Sequence, residues 1–307
     1  VGHDLVLWGR DTEHLRAVDR ARANERYLPG IPLPPGWRLE PSLAAAVAAP
    51  ADALVVAVPS RGFRDVAGVL STCVRPVISV TKGIEYDTGL TMCGVLRGLA
   101  PGAGVVALSG PSLAMEVARG IPTAVVAASP DLSLAQSVQT LFNGPTFRVY
   151  TSADQLGVEL GGALKNVVAI AAGVCDGLGF GDNSKAALVT RGIVEMRRLG
   201  VALGARAETF AGLSGLGDLT VTCFSRQSRN RAFGERIGRG ESIASIESST
   251  ASIAEGYPTA KSAWHLARRL AVETPIIDEV HAILHEGKSP AEALRSLMGR
   301  GARVELD

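Results

Sequence analysis

The sequence predicts two kinds of structure in succession: a doubly wound α/β domain built on a parallel sheet, then a mostly helical domain. Three observations carry this. Short Val-, Ile- and Leu-rich runs recur through the first half, separated by stretches of helical character. From about residue 152 they give way to long apolar-periodic helices broken by glycine-rich turns. The length, 307 residues, accommodates two cores.

The strand candidates are Asp4–Trp8, Leu54–Val58, Val77–Val80, Gly104–Leu108, Thr123–Ala127 and Phe147–Tyr150. They show little alternation, as expected of strands buried on both faces of a parallel sheet. Ser42–Ala49 and Phe63–Leu70 read as intervening helices, and Gln155–Asp176, Ser184–Gly204, Ala260–Leu270 and Ile276–Glu286 as the later ones. The boundary falls near Ser152–Asp154, giving domains 1–152 and 153–307. The Ser-rich stretch Ser242–Ser252 reads as loop or frayed helix.

Charge and composition exclude several classes. Lys plus Arg number 31 against 30 Asp plus Glu, so no global field marks a nucleic-acid or membrane-surface binder. Hydrophobic residues make up 47%, far from a disordered profile. Cys73, Cys93, Cys175 and Cys223 lie far apart without C-x-x-C spacing and read as reduced thiols of a cytoplasmic protein. No signal-peptide pattern opens the chain, and no apolar run reaches the roughly 18 residues of a membrane span.

In open α/β sheets ligands sit beyond the carboxyl ends of the strands. Those positions hold Arg10, Pro59-Ser60, Thr81-Lys82-Gly83 and Ser109-Gly110-Pro111-Ser112. No G-x-G-x-x-G follows a strand. The opening GHDLVLWGRD looks like the second strand of a dinucleotide-binding unit, with Arg10 and Asp11 where the adenosine ribose is read. The expectation is that a strand, glycine loop and helix of about 25 residues precede it, leaving the sheet without its first strand.

One charge interrupts the apolar run LGGALKNVVAIAAGVC, Lys165. Such a lysine either is buried, with a lowered pKa suited to proton transfer, or snorkels to solvent. Gly161 and Gly162 leave room beside it. Asp218 follows the glycines of GLSGLGDL, where a turn or N-cap aspartate is the plainer reading and a substrate- or lysine-orienting role the other. SRQSRNR, residues 225–231, offers three arginines with Ser228 and Asn230, a donor set suited to a phosphate or to a solvated face. Without interleaved aromatics, RNA ranks last. His281 and His285 have metal-ligand spacing, but no third ligand is evident, so they read as a packing pair and no metal is expected.

TKG (81–83), SGPS (109–112), GGALKN (161–166), GLSGLGDL (212–219), QSRNR (227–231) and AEGYPTA (254–260), in that order, closely resemble the bacterial NAD(P)-dependent glycerol-3-phosphate dehydrogenases. The resemblance spans nearly the whole chain. It implies a Rossmann-type domain followed by a helical domain of the 6-phosphogluconate-dehydrogenase type. It implies reversible hydride transfer between NADP or NAD and C2 of a three-carbon phosphate, interconverting dihydroxyacetone phosphate and sn-glycerol 3-phosphate for phospholipid synthesis. By resemblance Lys165 is the catalytic proton carrier. Lys82 lies at the junction of substrate and nicotinamide, Gly110 and Ser112 contact substrate, and Ser112 stands where the family often has Thr. Asp218, Asn166 and Thr222 fix the substrate oxygens and Lys165. Ser228, Arg229 and Asn230 hold the phosphate, with Arg229 also reaching the cofactor. Ala114, Ile253 and Glu255 line the cofactor site, and Arg10 reads its adenosine end, leaning toward NADP. A homodimer follows by the same resemblance. Two alternatives stay open: a related β-hydroxyacid dehydrogenase, and a non-catalytic truncated paralogue that binds a phosphate ligand.

Overall fold

The computed structural model describes residues 2–250, 254–302 and 304–305. β1 (Val6–Leu7) and β2 (Arg38–Leu39), linked through α1 (Thr12–Ala21), form a two-stranded parallel sheet. After α2 (Leu43–Ala48) come β3 (Leu54–Val56), α3 (Phe63–Ala67), β4 (Val77–Ser79), α4 (Met92–Leu99), β5 (Val105–Ser109), α5 (Ala114–Ala118), β6 (Thr123–Ala128), α6 (Leu132–Phe142) and β7 (Phe147–Ser152). β3 to β7 form a second sheet in sequential order. Neighbouring residues on a strand enter opposite cores. Val77 and Val105 join Phe63 and Leu96 on one face, while Ile78 and Val106 join Val138 on the other. Burial on both faces is why these strands read as unbroken apolar runs.

One feature departs from the expected parallel sheet. β6 runs antiparallel to β5, pairing Ser109 with Val126. The five-residue α5 is too short to carry the chain back across the sheet, so β6 starts at the end where β5 stops. Gly110, at φ 142, begins that turn, and a Cβ there would lie 2.9 Å from Val125 Cα. As expected of a sheet without its first strand, β1 and β3 are not paired, so each keeps one edge without a hydrogen-bonded strand among the described residues. Val55 of β3 is correspondingly 47% exposed.

The second half is helical: α7 (Gln155–Gly177), α8 (Asp182–Ala202), α9 (Asp218–Phe224), α10 (Arg229–Gly238), α11 (Ile243–Ser249), α12 (Gly256–Arg269), α13 (Pro275–His285) and α14 (Pro290–Met298). α11 turns most of the Ser-rich stretch into an ordered helix capped by Ser242. Asp154 caps α7 and ties it sideways, accepting from Gly157 N (3.0 Å), Arg206 N (2.9 Å) and Thr209 Oγ1 (2.6 Å). Gln155 donates to the carbonyls of Val105 (2.9 Å) and Ala128 (3.0 Å), seating the start of α7 on the sheet. By length and hydropathy α7 could cross a membrane, contrary to the reading of the sequence. It nevertheless carries three charged residues, Glu159, Lys165 and Asp176, and most of it is buried inside the protein, where α7 is the axle of the helical core.

α7 and α10 approach through glycines on both sides. A Cβ at Gly173 would lie 1.9 Å from Arg231 O, and one at Gly234 would lie 2.0 Å from Ile170 O. Gly177 and Gly238 repeat the contact one turn later. We expect Gly234→Ala to cost about 1–3 kcal/mol by forcing the helices apart. Gly98→Ala, in α4 with open space around it, should be neutral or stabilising. Equal urea midpoints for the two variants would contradict the close approach.

Candidate active site

The site grows from three local features. The loop after β4 carries Lys82, with Thr81 Oγ1 anchored on Val58 O at 2.7 Å. α7 carries Lys165 on a face where Gly161 and Gly162 admit neighbours. A Cβ at Gly162 would lie 2.6 Å from Ser109 Oγ and 3.3 Å from Lys82 Cγ. A π-helical turn, Leu213–Gly217, then swings Asp218 inward at the start of α9. Gly217, not Asp218, occupies the N-cap position, so the plainer reading of that aspartate does not hold.

Asp218 is 1% exposed and bridges both lysines. Lys82 Nζ donates to its Oδ2 at 2.5 Å and to Gly110 O at 3.1 Å. Lys165 Nζ donates to Oδ1 of the same carboxylate and to Thr222 Oγ1 at 2.7 Å. Thr222 in turn donates to Asp218 O at 2.6 Å. Lys165 is 6% exposed, so the snorkelling alternative falls. Its pKa is lowered to about 7, first by burial and then by the Lys82 charge, against the pull of Asp218.

A second chain of contacts starts one residue on. Asn230 Nδ2 donates to Asn166 Oδ1 at 2.9 Å, and Gly256 N donates to Asn230 Oδ1 at 2.8 Å. Ser228 is buried and caps α10, accepting from Arg231 N at 3.2 Å. Arg229, the first residue of α10, is exposed. The Arg231 guanidinium is instead engaged by Asp176 at 2.5 Å and Ser225 O at 3.1 Å. Ser112 Oγ rests on Gly110 O at 3.1 Å. Glu255 accepts from Ser60 Oγ at 2.5 Å, linking the end of β3 to the start of α12. Ala114 and Arg10 are exposed and lie outside the lysine cluster, and Ile253 lies outside the described residues.

The residues present suit a nicotinamide dinucleotide at its two ends. Asp11 is engaged as the α1 cap and with Arg26 at 3.2 Å, which leaves Arg10 as the cation beyond β1. Lys82, Ser60 and Glu255 supply polar groups where the sheet meets the helices. Between these ends the sequence offers no G-x-G-x-x-G turn. Among the described residues no group of three or more His, Cys, Asp or Glu could hold a metal. His281 instead stacks on Trp264 (centroids 4.2 Å apart, planes at 8°), and His285 Nε2 lies 3.2 Å from Tyr257 O.

Residues 1–135 match the family described as NAD-dependent glycerol-3-phosphate dehydrogenase N-terminus, and residues 154–295 match its C-terminus. The chain belongs to this family. Relatives in Escherichia coli and Shigella boydii, both named glycerol-3-phosphate dehydrogenase [NAD(P)+], are 45% identical over 99% of the chain and 91% of their own length. The crystal structure of the glycerol-3-phosphate dehydrogenase of Coxiella burnetii superposes with a TM-score of 0.93 at 35% identity, covering 97% of this chain and 92% of that one. A D-mandelate dehydrogenase shares the fold alone, at 9% identity and a TM-score of 0.59.

Within this glycerol-3-phosphate dehydrogenase frame, reading the sequence missed one ionic cluster, formed by Asp176, Lys185, Arg231 and Glu235 across three helices. It also missed Glu195, whose buried carboxyl is pushed up to about 7 and accepts from Ile276 N (2.8 Å) and Ile277 N (3.2 Å) at the start of α13. Neither has a sequence signal as a whole, because Asp176 and Arg231, like Glu195 and Ile276, lie far apart in the chain, and the Arg231–Glu235 pair alone is an ordinary i,i+4 contact. Lys165 makes a testable contribution to stability. Its folded pKa of about 7 lies below the ordinary 10.5, so between those values the unfolded chain holds the extra proton. Its contribution therefore rises with pH across that window by about one kcal/mol per unit. Lys165→Met should flatten urea-derived stability between pH 7 and 9.5 relative to the parent. Parallel slopes would contradict the lowered pKa.

Proposed function

We propose that this protein catalyses NAD(P)-dependent interconversion of sn-glycerol 3-phosphate and dihydroxyacetone phosphate. The observation that carries the reading is the buried Lys165–Asp218–Lys82 cluster, set at the strand ends of a chain from the glycerol-3-phosphate dehydrogenase family.

The bound nicotinamide would supply or accept the hydride at C2. In oxidation the C2 hydroxyl loses its proton to Lys165 Nζ as hydride departs. In reduction the Lys165 ammonium returns that proton to the oxygen and stabilises its developing charge. A pKa of about 7 keeps both protonation states populated near neutrality. Asp218 and Thr222 aim the amine, and Lys82 adds a second cation beside the reacting oxygen. Ser228, Arg229 and Asn230 would grip the substrate phosphate at the start of α10, where the helix favours an anion. Asn166 would position the substrate through Asn230, and Gly110 with Ser112 would form the opposite wall.

Arg10, Ala114, Ile253 and Glu255 would hold the dinucleotide, and Arg229 would reach it as well. Arg10 tips the preference toward NADP, because a guanidinium suits a 2′-phosphate. We divide the chain into a dinucleotide-binding unit of residues 1–152 and a substrate unit of residues 153–307. The reading also places a homodimer in the cytoplasm, and the four unpaired thiols support a reducing compartment.

In an absorbance assay with dihydroxyacetone phosphate and NADPH, Lys165→Ala should lower kcat by about 10²–10⁴ with little change in KM. The parent rate should follow an apparent pKa near 7. Arg229→Ala should chiefly raise the KM for the phosphorylated substrate. Bound phosphate ligands without any NADPH or NADH oxidation would favour the non-catalytic alternative and overturn the reading. Separately, Arg10→Ala should raise the KM for NADPH more than that for NADH. Equal effects would remove Arg10 from the adenosine site.

A further inference from the structure

A cavity of about 550 Å³ lies apart from the lysine cluster, where the end of α7 meets the start of α8, the end of α9 and the length of α10 as far as Arg239. Its walls bring four cations, Lys185, Arg226, Arg231 and Arg239, against two carboxylates, Asp176 and Glu235. Asp176 is shared by Lys185 and Arg231, each at 2.5 Å. Glu235 is shared by Arg231, at 3.0 Å, and Arg239. Both carboxylates are therefore already neutralised, and the surplus positive charge sits at the mouth. Arg226 has no carboxylate partner among the described residues, and Arg239 is 62% exposed. Lys185 and Arg231, only 11% exposed, put positive charge deeper in the wall.

We propose that this cavity is a second anion site, binding a small polyphosphate separately from the residues assigned to the substrate phosphate. Guanidinium forks grip phosphate oxygens in pairs, and two of them at one mouth suit a chain of phosphates better than a single one. The volume lies in the range of small-ligand sites. Phe224, 44% exposed and with Lys185 Nζ 5.2 Å from its ring centroid, gives the cavity an apolar wall that strengthens the cations' field. The site touches the substrate segment through one residue. Arg231 donates from Nε to Ser225 O at 3.1 Å and from its backbone N to Ser228 Oγ at 3.2 Å.

Isothermal titration of the full chain with inorganic tripolyphosphate, at constant ionic strength, tests this without any reliance on turnover. The expected result is saturable binding, tighter than for orthophosphate. Arg226→Gln, which breaks no ion pair, should weaken it about tenfold, as loss of a charged hydrogen-bonding group does. Arg226→Gln combined with Arg239→Gln should weaken it further at an unchanged melting temperature, while Arg229→Ala leaves it intact. Absence of binding, indifference to Arg226→Gln, or loss only in Arg229→Ala would overturn the proposal. The last result would assign the anion to the substrate-phosphate residues alone.

Discussion

Two ammonium groups sharing one buried carboxylate is the constraint on which the site depends. Asp218 is 1% exposed, and burying a lone charge costs several kcal/mol, so its burial depends on the two ammonium partners. One lysine cancels its charge and the second is then in surplus. Lys82 is 22% exposed and keeps water within reach, whereas Lys165 is enclosed by the apolar helix that carries it. The surplus proton is therefore the one on Lys165, and its pKa comes down to about 7 even in contact with a carboxylate. The same bridge joins the loop after β4 to α7 and α9, so the charge arrangement that tunes the lysine also holds the sheet against the helices.

That arrangement needs α7 held rigidly, and backbone proximity supplies the rigidity. Asp154 and Gln155 fix its start against both the sheet and the helical core. Farther along, the glycine contacts with α10 bring the two backbones close enough that a methyl group would meet carbonyl oxygens. A helix packed this way has few alternative positions, because interiors of this density yield in discrete rearrangements and not by gradual give. Lys165 inherits that restriction.

The alternation of strands and helices was legible because each buried strand is a short apolar run, and Lys165 stood out because a charge inside such a helix is costly. The direction of β6 was not legible. It depends on how far a five-residue helix can carry the chain, and no residue pattern records that. The two-residue strand β2 left no signal at all, because Arg38 and Leu39 are extended through pairing with β1 and not through their own propensity. Within the site, sequence named Asp218 but pointed to a cap. Only the π-helical turn before it places the side chain inward, and that turn relies on Gly215, where a Cβ would lie 2.2 Å from Phe210 O. The arginine-rich segment misled in the opposite sense. Its three guanidiniums look equivalent in the chain, yet Arg231 is spent on Asp176 and Glu235, partners 55 and 4 residues away.

The adjacency of Lys165 and Asn166 has a geometric consequence. Asn166 binds Asn230, Asn230 binds the backbone of Gly256, and a Cβ on Gly256 would lie 2.5 Å from Asn166 O. Three helices thus converge one residue from Lys165. A phosphate held at the start of α10 would fix the rest of a three-carbon substrate relative to Lys165 through backbone contacts and not through a mobile loop. Reactions of this kind lose orders of magnitude in rate when the reacting atoms are misplaced by about an ångström. Under the proposed function, the interhelical spacing set by Gly173, Gly177, Gly234 and Gly238 is then a determinant of chemistry as much as of stability. A substitution that widens it moves Ser228, Arg229 and Asn230 away from Lys165 even where the fold survives.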